Sequence, residues 1–393
     1  MQTNLHTRPR ILLLIPHLGG GGAERVTQLL ACGLSQDKYE LHLGLATNLL
    51  ADPAYADESG AMNLPSGVEI HHLSARRVRG SALRLLCLVR RLQPDVILSG
   101  MAHLNFLVLL LRPFFGSGVR ILVRQNSTVS SALASGELPR STRFFYLLLY
   151  PRADRIICQS QAMADDLVLS LGLKNTPLVI LPNPVEVDAI RTRVSAFAAQ
   201  GNTAVWPGPG PHLLAVGRLA PVKGFDLLLE ALAAARVEFP SADLTIVGQG
   251  EEQNPLAAQA KKLGLAAAVR FTGQVAQPEA WFPGASLFVL SSRHEGLPNA
   301  LLEAAAAGLP IVALPASEGI TQLLRNQPGT WLAPEISASA LAASLLSALR
   351  TIAPAERFAH PFIDAFRIER SIEAYEALID SVLKNAAARG VRR

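Results

Sequence analysis

The chain has 393 residues, 50 % of them apolar and 17 % charged, enough to fill two or three complete cores and too apolar for a disordered chain. Its formal charge of +5 is a mild basic excess, and with aromatics at 6 % and no binding module in view it argues against a nucleic-acid partner. Three cysteines, Cys32, Cys87 and Cys158, are odd in number and lack metal-ligand spacing, so they read as buried thiols of a reducing compartment.

The first apolar run, Ile11 to Ile15, is too short for a secretory signal and leads into glycines. Longer runs such as Phe106 to Leu111 fall far below the ~18 residues of a membrane span. The expected location is cytoplasmic, with at most peripheral contact with a membrane.

Short apolar runs alternate with helical patterns, the mark of parallel α/β sheets. Strands are expected near Ile11–Ile15, Glu40–Ala46, Val68–His72, Val96–Ser99, Arg120–Val123, Arg155–Cys158 and Val179–Leu181. Between the first two lies a helix from Glu24 to Leu34, with Val26, Leu29, Leu30 and Leu34 on one face. A stretch from Arg191 to Pro211, rich in Ala, Gly and Pro, reads as an interdomain linker. The alternation restarts with strands at Leu213–Val216, Leu244–Val247, Val269–Thr272, Leu287–Leu290, Ile311–Ala313 and Thr330–Leu332. Helices fall at Asp226–Val237, Leu256–Leu263, Asn299–Ala307 and Ala338–Leu349. The tail repeats Ile368, Ile372, Tyr375, Leu378 and Val382 at helical spacing. The expected architecture is two Rossmann-like α/β domains, residues 1–190 and 212–360, joined by a linker at 191–211, with residues 361–393 packing back on the first domain.

Three loops carry the chemistry. After the Leu287 strand comes Ser291-Ser292-Arg293-His294-Glu295-Gly296-Leu297-Pro298, which opens the helix at Asn299. Unpaired amides of Asn299, Ala300 and Leu301 at that helix start suit an anion. Glu295 and Glu303 bracket them and can accept hydrogen bonds from sugar hydroxyls. An acidic residue in a first turn is also common for electrostatic reasons alone. After the Leu213 strand comes Gly217-Arg218-Leu219-Ala220-Pro221-Val222-Lys223-Gly224, at the strand end where parallel sheets bind ligands. Arg218 can fork two phosphate oxygens and Lys223 adds a compact charge. No Gly-Lys-Ser/Thr follows, so this is no Walker loop. After the first strand, Gly19-Gly20-Gly21-Gly22-Ala23-Glu24-Arg25 permits close backbone approach but does not satisfy G-x-G-x-x-G.

Glu295 and Glu303, with seven residues between them and opening on Glu-Gly-Leu-Pro-Asn, together with Gly-Arg-x4-Lys upstream, resemble the signatures of glycosyltransferase family 4, retaining enzymes of the GT-B fold. Gly-Gly-Ala-Glu-Arg, Ala153 to Leu171 and the Pro182-Asn183-Pro184 turn are similar to the family's first domain, and the likeness spans almost the whole chain. It implies that Arg218, Lys223 and the amides of Asn299, Ala300 and Leu301 hold the donor diphosphate, Glu303 the ribose and Glu295 the transferring sugar. Val275, in Phe271-Thr272-Gly273-Gln274-Val275, would hold the base, and Gly20, Gly21 and Gly22 would face the donor. Where many relatives carry a His near the reacting carbon, this chain reads Val123-Arg124-Gln125-Asn126-Ser127. Asn126 and His294 are therefore secondary pocket residues, His17 and His103 read as structural, and the acceptor-activating group is unassigned.

Neither Asp-x-Asp nor a metal-spaced His/Asp cluster occurs, so no metal and no cofactor beyond a UDP-type nucleotide-sugar donor is expected. Arg76, Arg77, Arg79, Arg84, Arg90 and Arg91 around an apolar helix, followed by Phe106 to Phe115, suit an anionic membrane bearing a glycan or polyprenyl-linked acceptor. A solvated helix face fits the same cluster. The rival readings are a nucleotide-sugar epimerase of similar fold and a non-catalytic sugar-nucleotide-binding subunit. A hydrolase using the two glutamates is disfavoured, because retaining hydrolases need carboxylates ~5 Å apart, whereas eight helical residues span ~12 Å.

Overall fold

A computed structural model describes residues 8–390 apart from 20, 48–63, 135, 137, 175 and 202–205, and of 386–390 it describes the backbone only. The chain divides into unit 1, residues 1–184 with 368–393, and unit 2, residues 185–367.

Unit 1 is built on a 7-stranded parallel sheet: β1 (Arg10–Ile15), β2 (Glu40–Thr47), β3 (Val68–Ala75), β4 (Val96–Gly100), β5 (Arg120–Arg124), β6 (Arg155–Cys158) and β7 (Leu178–Ile180). Their order is β3-β2-β1-β4-β5-β6-β7. Every central strand is buried on both faces, which is why each reads as a continuous apolar run rather than an alternating one. One face packs Leu12, Leu14, Ile97 and Ile121 against the helices Ala82–Leu92 and Ala102–Leu111. The other packs Ile11, Leu13 and Ile15 against the helix Gly22–Gly33 and the final helix Ile368–Gly390, whose Ile372, Tyr375 and Ile379 complete that layer.

Unit 2 repeats the plan with β8 (His212–Val216), β9 (Asp243–Val247), β10 (Val269–Phe271), β11 (Leu287–Leu290), β12 (Ile311–Ala313) and β13 (Thr330–Leu332). Here the order is β10-β9-β8-β11-β12-β13, again all parallel. Chain order reverses between β1 and β4 in unit 1 and between β8 and β11 in unit 2. Outside the carboxyl ends of strands at such a reversal the flanking loops part, and ligands bind there.

Two expectations need correcting. The segment expected as a linker from Arg191 begins instead within a helix, Val187–Ala199. Val187 and Ile190 are buried in unit 2 and Val194 packs against the same cluster, so burial on a narrow stripe overrides the segment's weak pattern. Nor are the cysteines uniformly buried: Cys158 is, Cys32 is half-buried and Cys87 is exposed, on the outer side of the helix Ala82–Leu92. Burial pushes the Cys158 thiol up to about 12, so it is inert.

Candidate active site

In unit 2, the loops leaving β8 and β11 lie side by side because their strands pair, Leu213 with Leu287 and Leu214 with Phe288. The first loop bends through a short 3-10 turn, Pro221–Lys223, into Gly224 at φ +61°. Its shape is held by the second loop. The Arg293 amide donates to Val222 O at 2.8 Å, Ser291 Oγ donates to Lys223 O at 2.9 Å, and Arg293 Nη1 donates to Pro221 O at 2.8 Å. Arg293 also forks the Asp226 carboxylate at 2.7 and 2.6 Å.

That scaffold brings Lys223 onto Glu295. Lys223 Nζ donates to Glu295 Oε1 at 2.5 Å, and Ser292 Oγ donates to the same oxygen at 2.8 Å. Both donors act on one oxygen; among the described residues none engages Oε2. The Glu295 amide is anchored to Ala316 O at 3.1 Å, and Ser317 Oγ supports Gly296 O at 3.2 Å, so the loop after β12 props the acidic turn from behind. Arg218 is exposed at the end of β8 and no ion pair engages it among the described residues.

The helix Asn299–Ala306 follows, with Pro298 at its cap position and no side-chain cap. The Leu301 amide donates to Pro298 O at 3.2 Å, so it is already engaged and drops out of the expected amide set. Among the described residues no acceptor takes the Ala300 amide, and Asn299 and Glu303 are half-buried on the same turn and the next. His294 is half-buried in the loop.

Two glycines close the rim on its other side. Gly248, after β9, donates to Gly273 O at 2.9 Å and sits at φ +144°; a Cβ there would lie 2.0 Å from Gly217 O. The loop carrying Val275 is thus drawn against the end of β8, and Val275 packs on the core cluster that includes Leu297 and Leu301.

In unit 1 Gly20 lies outside the described residues. Gly21 and Gly22 open the first helix, and a Cβ on Gly21 would meet Glu24 Oε2 at 2.3 Å. One of these glycines therefore makes room for a buried carboxylate. His17 Nδ1 accepts from the Gly19 amide at 3.2 Å and lies 3.6 Å from Glu24 Oε1. Burial, then the neighbouring His103, holds its imidazole below the ordinary value. Asn126 Oδ1 accepts from Arg124 Nη1 and from Gln159 Nε2, the latter at 3.3 Å, while Arg124 Nη2 donates to Asn183 Oδ1. The end of β5 is thereby tied to the Pro182-Asn183-Pro184 turn. Asn126 Nδ2 is buried with no acceptor among the described residues.

Arg293, Asp226, Ser291, Ser292 and Arg124 were not singled out from sequence. Ser291, Ser292 and Arg293 lie within the Glu295 motif; Asp226 is met by Arg293 and Arg124 reaches Asn183, partners far away in the chain.

Two family models match: Glycosyltransferase Family 4 over residues 20–189 and Glycosyl transferases group 1 over residues 210–351. The chain belongs with the family 4-like glycosyltransferases. It is 27 % identical, over 79 % of its own length and 82 % of the relative's, to the N-acetylgalactosamine-N,N'-diacetylbacillosaminyl-diphospho-undecaprenol 4-alpha-N-acetylgalactosaminyltransferase of Campylobacter jejuni. It is 25 % identical to the amylovoran biosynthesis glycosyltransferase AmsD of Erwinia amylovora, over 81 % of this chain and 84 % of that one. The Anabaena protein HepE, solved in complex with UDP and glucose, superposes with a TM-score of 0.75 at 19 % identity, covering 95 % of this chain and 100 % of that one. The fold is GT-B, and this glycosyltransferase is not favoured as an epimerase or a binding subunit.

Proposed function

We propose that this glycosyltransferase moves a sugar from a UDP-sugar to a glycan or lipid-linked acceptor, with retention at the anomeric carbon. The observation that carries the reading is the contact of Lys223 with Glu295 across the carboxyl ends of β8 and β11. A cation and a carboxylate neutralise one another there until a donor arrives. A diphosphate then draws Lys223 and exposed Arg218, while Glu295, still held by Ser292, is released to a sugar hydroxyl. The Asn299 and Ala300 amides add to the diphosphate grip, Glu303 takes the ribose, and Val275 lies against the base. Asn126, with its unclaimed amide hydrogens, serves as an acceptor-side pocket residue.

Charge builds on the leaving diphosphate as the glycosidic bond breaks. One donor aimed at such charge is worth on the order of 3 kcal/mol, so the cations and amides together make a divalent ion dispensable. The leaving phosphate then helps deprotonate the acceptor. The undecaprenol-linked substrate in the name of the Campylobacter relative and the UDP bound by HepE support a lipid-linked acceptor and a UDP donor.

The test is a donor panel of UDP-, GDP- and ADP-sugars with membrane-lipid and oligosaccharide acceptors, run with a chelator present. Turnover of a UDP-sugar with the α-anomeric relation kept is expected, with Glu303→Ala and Lys223→Ala each lowering kcat/KM by about 10²-fold. Inertness toward every donor, or a requirement for added magnesium, would overturn the corresponding part of the reading.

A further inference from the structure

The sheet of unit 1 ends on β3, and one face of the β2–β3 pair gathers polar side chains that sugar transfer does not use. Parallel register sets His42 beside Glu69 and Gly44 beside His71. Residues two apart on a strand share a face, so Glu40 and His42 of β2 line up with Glu69 and His71 of β3. No spacing in the sequence announces this, because the ligands come from two strands.

His42 Nδ1 lies 3.1 Å from His71 Nε2 and 3.3 Å from Glu69 Oε2, and His71 Nε2 lies 3.8 Å from Glu69 Oε1. One ligand atom from each of the three residues falls within 4.8 Å of the others. Both imidazoles are buried, and Glu69 is exposed. The other nitrogen of His42, Nε2, lies 3.1 Å from Glu40 Oε1. A proton held on Nε2 by that carboxylate would leave Nδ1, which faces His71 and Glu69, able to ligate a metal ion.

The spacing fits a small transition-metal ion. With bonds of 2.0–2.1 Å, tetrahedral zinc has ligand-to-ligand edges of about 3.3 Å. The two edges at His42 sit within a few tenths of an ångström of that value, and the third, from His71 to the other oxygen of Glu69, is longer at 3.8 Å. Glu40 stands where a carboxylate orients a metal-bound histidine from outside the coordination sphere.

We propose that His42, His71 and Glu69, with Glu40 behind His42, form a divalent transition-metal site of zinc type that pins the edge strand β3 to β2. Its role is structural, separate from the transfer site, and its exposed side leaves a coordination position to water.

The test uses the full-length protein stripped with chelator. Zinc is titrated by calorimetry, and cobalt is followed by its visible absorption, which distinguishes tetrahedral coordination. One ion per chain is expected, with zinc raising the melting temperature. Glu69→Gln changes an exposed side chain and so keeps the fold; it and His71→Gln should each weaken zinc binding about tenfold or more, and Glu40→Gln ten- to a hundredfold. Cys87→Ser, which removes the exposed thiol, should leave affinity unchanged. Absence of stoichiometric binding, or binding that survives Glu69→Gln or His71→Gln, overturns the site, whatever the donor panel shows.

Discussion

Gly224 shows how one residue conditions the whole of the unit 2 site. It holds φ at +61°, and a Cβ on it would stand 2.1 Å from Ser291 O, a backbone atom that cannot swing away. The left-handed conformation alone costs a side chain about 1–2 kcal/mol, and the clash adds to it. Gly224→Ala should lower the free energy of unfolding by at least that amount, read as a lower urea midpoint at unchanged m, and reduce transfer, since Lys223 precedes it; an unchanged midpoint would refute the packing argument. From the sequence a glycine after Lys223 is a turn residue and no more. The atom that excludes a side chain there belongs to Ser291, which nothing local connects to it.

Elements are where pattern reading succeeds most fully and where its failure is instructive. Strands of a parallel sheet covered on both faces are short uninterrupted apolar runs, so the central strands β1, β4 and β11 were legible to within a few residues. The helix Val187–Ala199 was not, because it buries Val187 and Ile190 while most of its surface is solvated. The clip between the loops after β8 and β11 belongs to this scale too. Burial raises the Asp226 carboxyl, but the Arg293 fork outweighs it and the net shift is downward. A carboxyl lowered in the folded state stabilises fully above its unfolded value of about 3.9 and loses that contribution as pH falls through the folded value. Asp226→Asn should therefore flatten the acid limb of a stability-versus-pH curve below about pH 4, by about 1 kcal/mol or less given the partial exposure of the pair. Denaturant melts across that limb for both proteins check it; parallel curves would show that the fork contributes nothing.

At the scale of the molecule, the surface of unit 1 bears on the proposed peripheral contact with a membrane. No helix among the described residues is long and apolar enough to cross a membrane. The arginine-flanked helix expected as the contact surface is Ala82–Leu92: Leu85, Leu88, Val89 and Leu92 are buried on its inner face, Leu83 is 78 % exposed on its outer face, and Arg84 Nη1 donates to Leu73 O and Ser74 O. Phe106 likewise packs edge-on to Tyr146. A denser apolar surface lies on the helix Thr142–Leu149, where Phe144 is 62 % exposed, with Phe145, Leu147 and Leu148 exposed beside it and Arg140 and Arg143 at its start. Apolar side chains rimmed by cations suit insertion among anionic headgroups. We propose that this helix makes the peripheral contact. Phe144→Ser with Phe145→Ser should cut binding to phosphatidylglycerol vesicles about tenfold or more, since each buried aromatic is worth roughly 1.5–3 kcal/mol, and wild-type binding should fall with salt. Equal retention of both proteins on vesicles would remove the helix from consideration.

What the chain determined by itself is its list of elements and the loops that carry chemistry, because apolar periodicity, glycine punctuation and strand-end motifs are properties of neighbouring residues. The thirteen strands among the described residues, the Arg218–Lys223 loop and the Glu295–Glu303 turn all follow from such short-range order. Which charges meet is another matter. Lys223 finds Glu295, Asp226 finds Arg293 and His42 finds His71 only once strand order and register are set. Those depend on how buried surfaces are shared among distant segments, and a contact between two strand ends leaves no trace in the residues around either one.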